Sequence, residues 1–321
     1  MTAGLPALGD SVLTVGTFDG IHRGHQAVLG RLLRRASDAR LTALVVSFDP
    51  HPLEILSPAT APRLLAPGAE RLAMLAETGL AHVAILRFTP TLAGYSAEHF
   101  VDFVLRPRYA MRELLIGYDH GFGRGRSGDV ETLRRLGESR GFAVEVVPPV
   151  VGPGGTAISS SAIRRAVAAG NLDAAADALG RRYAVLGRVV SGARRGRLLG
   201  YPTLNVEPPP RKLLPPFGVY AVTVDTPRGT WGGMMNLGPR PTFGEEAVAL
   251  EVHLFDADDD FYGARVRVEF VNRLRDTTRF PSPDALVAQL ARDERDARRA
   301  LTEILHSRTV RGSADDPTIP P

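Results

Sequence analysis

The 321-residue chain has no cysteine and one lysine, Lys212, which leaves arginine for the other 38 of its 39 basic side chains. Without cysteine there is no disulfide, no thiolate nucleophile, no iron–sulfur cluster and no Cys-type zinc site, so an extracellular disulfide scaffold is not expected. The single lysine lies in Pro210-Arg211-Lys212-Leu213. Neither a Walker A loop ending in Gly-Lys-[Ser/Thr] nor the strand lysine of a protein kinase is therefore available, and any ATP must be held by other groups. No window approaches eighteen uninterrupted apolar residues, and residues 1–10 lack a basic stretch followed by an apolar one. A cytoplasmic protein with no membrane partner is expected. The net charge is +4 at pH 7, and the arginines are scattered rather than gathered in a basic run, so no nucleic-acid partner is expected either.

Hydrophobic residues make up 44% and charged residues 23%, enough for ordinary cores, and the length suggests two domains. Short apolar runs at 11–16, 41–48, 82–88, 113–117 and 143–147 alternate with helical periodicity at 25–36, 69–78, 97–105 and 129–140. That alternation predicts a parallel, doubly wound sheet, followed by helices at 160–169 and 172–179. After Tyr183 the runs YAVLGRVV, GVYAVTVD, TWGGMMN, ALEVHLF and ARVRVEFV are β-rich and separated by turn residues. They predict a small antiparallel barrel. In the last run Val266, Val268 and Phe270 share one face, and Arg265, Arg267 and Glu269 the other. A closing helix begins at Ser282-Pro283-Asp284, with serine as N-cap and proline at the first helical position. The expected division is 1–182, 183–306 and a disordered tail, 307–321.

Three segments carry chemistry. Gly16-Thr17-Phe18-Asp19-Gly20-Ile21-His22-Arg23-Gly24-His25 joins the first strand to the first helix, where a doubly wound sheet binds phosphates. Helix amides, glycines and two imidazoles three residues apart suit a nucleoside triphosphate. A metal site lacks a third ligand at fixed spacing. Ile158-Ser159-Ser160-Ser161-Ala162-Ile163-Arg164 opens a later helix with hydroxyls and a guanidinium, a second anion cradle. In the β-rich region the glycine- and arginine-rich loop containing Gly192 and Arg197 runs into Pro202-Thr203-Leu204-Asn205. Glycine-dense turns beside arginines fit a phosphate chain.

The first segment resembles the H-x-G-H signature of adenylyl-transferring nucleotidyltransferases. Together with the Ile-Ser-Ser run it is similar to the FMN adenylyltransferase module of bacterial bifunctional riboflavin kinase/FAD synthetases, with Ser161 in a threonine's place. Phe48-Asp49-Pro50-His51-Pro52 and Gly117-Tyr118-Asp119-His120-Gly121-Phe122-Gly123 also fit that family, the second with His120 where a phenylalanine is usual. Pro202-Thr203-Leu204-Asn205 resembles the P-T-A-N signature of riboflavin kinases, and Asn236, Glu251 and Asp260-Phe261-Tyr262-Gly263 extend the likeness.

The resemblance implies a Rossmann-like nucleotidyltransferase domain followed by a riboflavin-kinase barrel, making FMN from riboflavin and FAD from FMN with ATP and Mg2+. It implies that Gly16, Phe18, Gly24, His22 and His25 hold and activate ATP, and that Ser159, Ser160 and Arg164 hold pyrophosphate. Asp119 and Phe122 would contact FMN. Gly192 and Arg197 would hold the kinase ATP, Thr203 and Asn205 the magnesium ion, and Glu251 would be the catalytic base. Arg275 and Phe280 would contact the flavin. Two alternatives stay open: a chain with one active module, and a flavin or RNA sensor without turnover.

Overall fold

The computed structural model describes residues 9–119, 121–192, 195–239, 248–257 and 261–312, apart from the side chains of 195, 197 and 303–312. The chain divides into two units, Met1–Arg164 with Asp177–Gly180, and Arg165–Ala176 with Arg181–Pro321.

The first unit is a five-stranded parallel sheet of β1 (Ser11–Val15), β2 (Thr42–Asp49), β3 (His82–Arg87), β4 (Met111–Gly117) and β5 (Ala143–Val147), in the order β3-β2-β1-β4-β5. Its strands read as apolar runs because both faces are covered. Leu13, Val15, Leu44, Val46, Leu114 and Ile116 belong to one core, and Val12, Val45 and Leu115 to the other. From β1 the chain builds outward through β2 and β3, then returns to add β4 and β5 on the other side. The crevice at the carboxyl ends of β1 and β4 is thus the topological switch point. The H-x-G-H turn follows β1, and the Gly117–Gly128 loop follows β4.

One helix differs from its expected form. The periodic stretch 97–105 is α-helical only over Ala97–Phe100, and Val101–Leu105 is a π-turn. The N–H of Arg106 reaches back to the carbonyl of Val101, and Pro107 follows with no N–H to resume the α register.

The second unit closes into a six-stranded barrel of β6 (Ala184–Val190), β7 (Leu204–Glu207), β8 (Gly218–Thr226), β9 (Gly229–Pro239), β10 (Val248–Leu254) and β11 (Arg265–Arg275), ordered β10-β7-β6-β11-β8-β9. In β11 Val266, Val268 and Phe270 are buried and Arg265 is exposed, as the alternation requires. Strand β7 has only four residues, and its pairing with β6 and β10 closes the wall. The helix Pro283–Gly312 starts at Ser282, whose Oγ accepts the N–H of Ala285 at 3.2 Å. It lays Ala297 and Leu301 against Ala221, Met234, Phe255 and Val271 of the barrel. Residues 307–312 are helical where disorder was expected; residues 313–321 lie outside the described part.

Candidate active sites

The first site grows from the end of β1. Gly16 still donates to the carbonyl of Val46 at 3.0 Å, after which the chain leaves the sheet, with Phe18, Gly20 and Ile21 all at positive φ. Phe18 and Ile21 are packed into the core, and Asp19 between them is buried with its carboxylate paired inside the protein. His22 is the N-cap of the helix Arg23–Ala39: its Nδ1 accepts the N–H of His25 at 3.3 Å, so the proton of the neutral ring is on Nε2. The two imidazoles stack with centroids 3.7 Å apart, and Phe18 lies 5.0 Å from His25. A Cβ on Gly24 would sit 3.1 Å from the His22 ring, so the glycine lets that ring lie across the helix start.

Asp19 organises the floor. It is 1% exposed, and its carboxylate accepts the N–H groups of Leu65 (3.0 Å) and Ala66 (2.8 Å) and Nη2 of Arg164 (2.6 Å). Its carbonyl accepts the hydroxyl of Ser160 at 3.0 Å. Ser159 accepts the N–H of Ala162 at 3.3 Å and so begins the helix Ser160–Ala168. The two segments expected from the sequence to bind anions, 145 residues apart at this contact, are thereby brought together.

Two further residues complete the floor. Buried Arg71 donates to the carbonyls of Thr17 (3.0 Å) and Phe48 (2.9 Å), fastening the ends of β1 and β2, and burial lowers its pKa. His51 caps the helix Pro52–Leu56 through Nδ1, and burial pushes its pKa down although the charge of Asp19 opposes the shift. Sequence reasoning assigned no role to Asp19 or Arg71. An acid inside a glycine-rich turn after a buried strand was the available signal for Asp19; nothing local marks Arg71.

Beside the crevice a small aromatic pocket is lined by Phe48, Leu92, Tyr95, Phe100, Phe122 and Gly123. Phe122 and Phe100 meet edge to face at 5.4 Å. The loop bearing Phe122 is fixed by the N–H of Arg124 on the carbonyl of Tyr95 at 2.7 Å. Asp119 is exposed, and its carbonyl accepts from Arg126. His120 lies outside the described residues.

In the barrel, register does what sequence distance hides. Glu251 on β10 is paired with Asn205 on β7 and with Asn236 on β9; Asn236 pairs with Val219, and Val219 with Arg275. One level of the wall therefore carries Asn205, Glu251, Asn236 and Arg275. Thr203 lies just before β7, in a segment held by the contact of His253 Nδ1 with the carbonyl of Pro202 at 2.8 Å. A Cβ on Gly192 would overlap the Asn205 side chain, so this glycine allows the loop to close over it. The side chain of Arg197 lies outside the described residues.

Arg275 grips buried Asp293 through Nε and Nη2 (2.9 and 2.7 Å), and its Nη1 goes to the Asp276 carbonyl and Thr278. The Phe280 ring lies 5.5 Å from the guanidinium. With its hydrogen-bonding edges filled, Arg275 can offer a flavin packing but few hydrogen bonds. Among the described residues no group of three or more His, Asp or Glu is disposed to hold a metal by itself, and no helix is long and apolar enough to cross a membrane.

Two family models match the chain, FAD synthetase over residues 6–162 and riboflavin kinase over residues 179–301. The bifunctional riboflavin kinase/FMN adenylyltransferase of Escherichia coli strain K12 is 40% identical over 288 residues, 89% of this chain and 91% of that protein. The protein of the same name from Pseudomonas fluorescens is 40% identical over 296 residues, 92% and 94% of the two chains. A crystal structure described as a macrolide-efflux protein from Streptococcus pneumoniae superposes with a TM-score of 0.81 at 34% identity, covering 91% of this chain and 96% of that one.

Proposed function

The chain belongs to the bifunctional riboflavin kinase/FMN adenylyltransferase family, and from that premise we propose how its residues divide the work. The barrel unit phosphorylates riboflavin to FMN, and the parallel-sheet unit adenylylates FMN to FAD. The observation that carries the second assignment is the meeting of the H-x-G-H turn with Ser160 and Arg164 on Asp19, at the switch point of the sheet.

In adenylyl transfer an FMN phosphate oxygen attacks the α-phosphorus of ATP, and the bond to pyrophosphate breaks. No proton needs to move, so the protein's task is alignment and charge. His22 donates from Nε2, and His25, stacked on it, completes the pair over the phosphates. Gly16, Phe18 and Gly24 shape the turn, while Ser159, Ser160 and Arg164 receive the departing pyrophosphate. The aromatic faces of Phe48, Tyr95, Phe100 and Phe122 offer stacking surface for a flavin ring, and Asp119 lies exposed on the loop that carries Phe122.

In the kinase step the ribityl 5′-hydroxyl attacks the γ-phosphorus and ADP leaves. A primary alcohol needs its proton taken, and Glu251 accepts it. Gly192 and Arg197 border the phosphate chain, and Phe280, backed by Arg275, offers the flavin an aromatic face. Thr203 and Asn205 supply a hydroxyl and an amide oxygen, hard donors that fit Mg2+ when nucleotide oxygens complete the set. A bound Mg2+ would neutralise phosphate charge there. An enzyme fed by ATP in this way works in the cytoplasm.

The test is to incubate the protein with riboflavin, ATP and magnesium and to separate the flavins. FMN appearing first and then FAD is expected. FMN alone assigns one active unit, and bound flavin without product assigns a sensor.

A further inference from the structure

Asp19 is the one acid in the H-x-G-H turn, yet it is buried and its carboxylate is taken up by the protein itself. Its side chain is 2% exposed and its acceptors are committed to two amides of the segment at 65–66 and to Arg164. Its backbone carbonyl takes Ser160. A buried carboxylate of this kind is costly to leave without these donors. Arg164, 17% exposed, has no other protein acceptor among the described residues, and its buried Nε is unpaired. Arg71 is also buried nearby and feels the charge of Asp19. The floor therefore holds two guanidinium groups near the buried Asp19 carboxylate, Arg164 bound to it directly and Arg71 feeling its charge together with that of Asp49.

We propose that Asp19 is a positioning residue for the leaving group. It sets the register of the helix start at Ser160 and aims Arg164, so that the second anion cradle receives pyrophosphate while the histidines of the first hold the adenylyl end. The inference deepens the adenylyl-transfer reading and rests on it. It differs from a general folding role in one measurable respect, because it couples Asp19 to pyrophosphate and not to flavin.

The reverse reaction of the full chain separates the two. There a pyrophosphate oxygen attacks the adenylyl phosphorus of FAD, and FMN departs as ATP forms. For D19N the KM for pyrophosphate rises about tenfold or more, while the KM for FAD stays within about twofold. R164Q, which removes the ion pair but keeps the Asp19 carboxylate and the amides of Leu65 and Ala66 that bind it, shows the same split, and D19N/R164Q is no worse than D19N alone. Where D19N does not fold, D19E, which keeps the charge but displaces it by one methylene, takes its place. Equal rises in both KM values, an unchanged pyrophosphate KM, or additive effects in the double variant overturn the inference while wild type still makes FAD. A wild-type chain that makes FMN and no FAD overturns the parent reading and the inference with it.

Discussion

Asn205 and Glu251 stand directly opposite each other on the antiparallel neighbours β7 and β10, so their side chains leave the barrel wall on the same side within a few ångströms. The residues proposed as ligand for the nucleotide's metal and acceptor for the alcohol's proton are thus held at one level by backbone pairing. E251Q keeps the shape and removes the acceptor. Conversion of riboflavin to FMN is expected to fall about 10²- to 10⁴-fold, while supplied FMN is still converted to FAD. Chromatography of the flavins checks both, and retained FMN synthesis in E251Q would remove Glu251 from the reaction.

The complementary change is His25→Ala. The helix cap survives, because His22 caps through the backbone N–H of residue 25, so the change removes the proposed phosphate donor together with its ring contacts to His22 and Phe18. FAD formation is expected to drop about 10²- to 10³-fold, with riboflavin still phosphorylated. Parallel loss of both activities would point instead to damage spreading beyond the first unit.

Gly192→Ala is a test of the kinase loop. The new methyl would occupy the volume of the Asn205 side chain, so either the loop lifts or the asparagine turns away. In both cases the proposed hard-oxygen pair of Asn205 with Thr203 is lost, and the apparent KM for ATP in FMN synthesis should rise by about tenfold or more. Titration of ATP at fixed magnesium measures it; an unchanged KM would show that the loop does not lie over bound nucleotide.

Much of this architecture can be read from local pattern. Buried parallel strands are largely apolar, so β1 and β2 stand out, and the period-2 alternation of β11 is plain. Strand β7 is not visible in this way: it has four residues and begins inside the Pro-Thr-Leu-Asn motif. The two histidines and the serine run announce themselves by residue type at a strand–helix junction. Their connection does not, because Asp19 reaches Ala66 and Arg164 across 47 and 145 residues of sequence. The π-turn at Val101–Leu105 is similarly hidden, since its apolar spacing is that of an ordinary helix.

His51 gives the first unit a predictable pH response. Burial disfavours its imidazolium, so its pKa in the folded chain lies below the ordinary histidine value of about 6.5. As pH falls through that value the unfolded chain takes up a proton that the folded chain refuses, and unfolding is favoured. The stability is therefore fully present above about pH 6.5 and is lost as pH falls toward the depressed folded pKa, by at most about 1.4 kcal/mol per pH unit for a single proton. His51→Asn retains a side-chain acceptor for the N–H of Leu53 and has nothing to titrate. Denaturant unfolding of both proteins at pH 7.5 and 5.5 should show a smaller loss in the variant. An equal loss in the two would place the pH response on other groups.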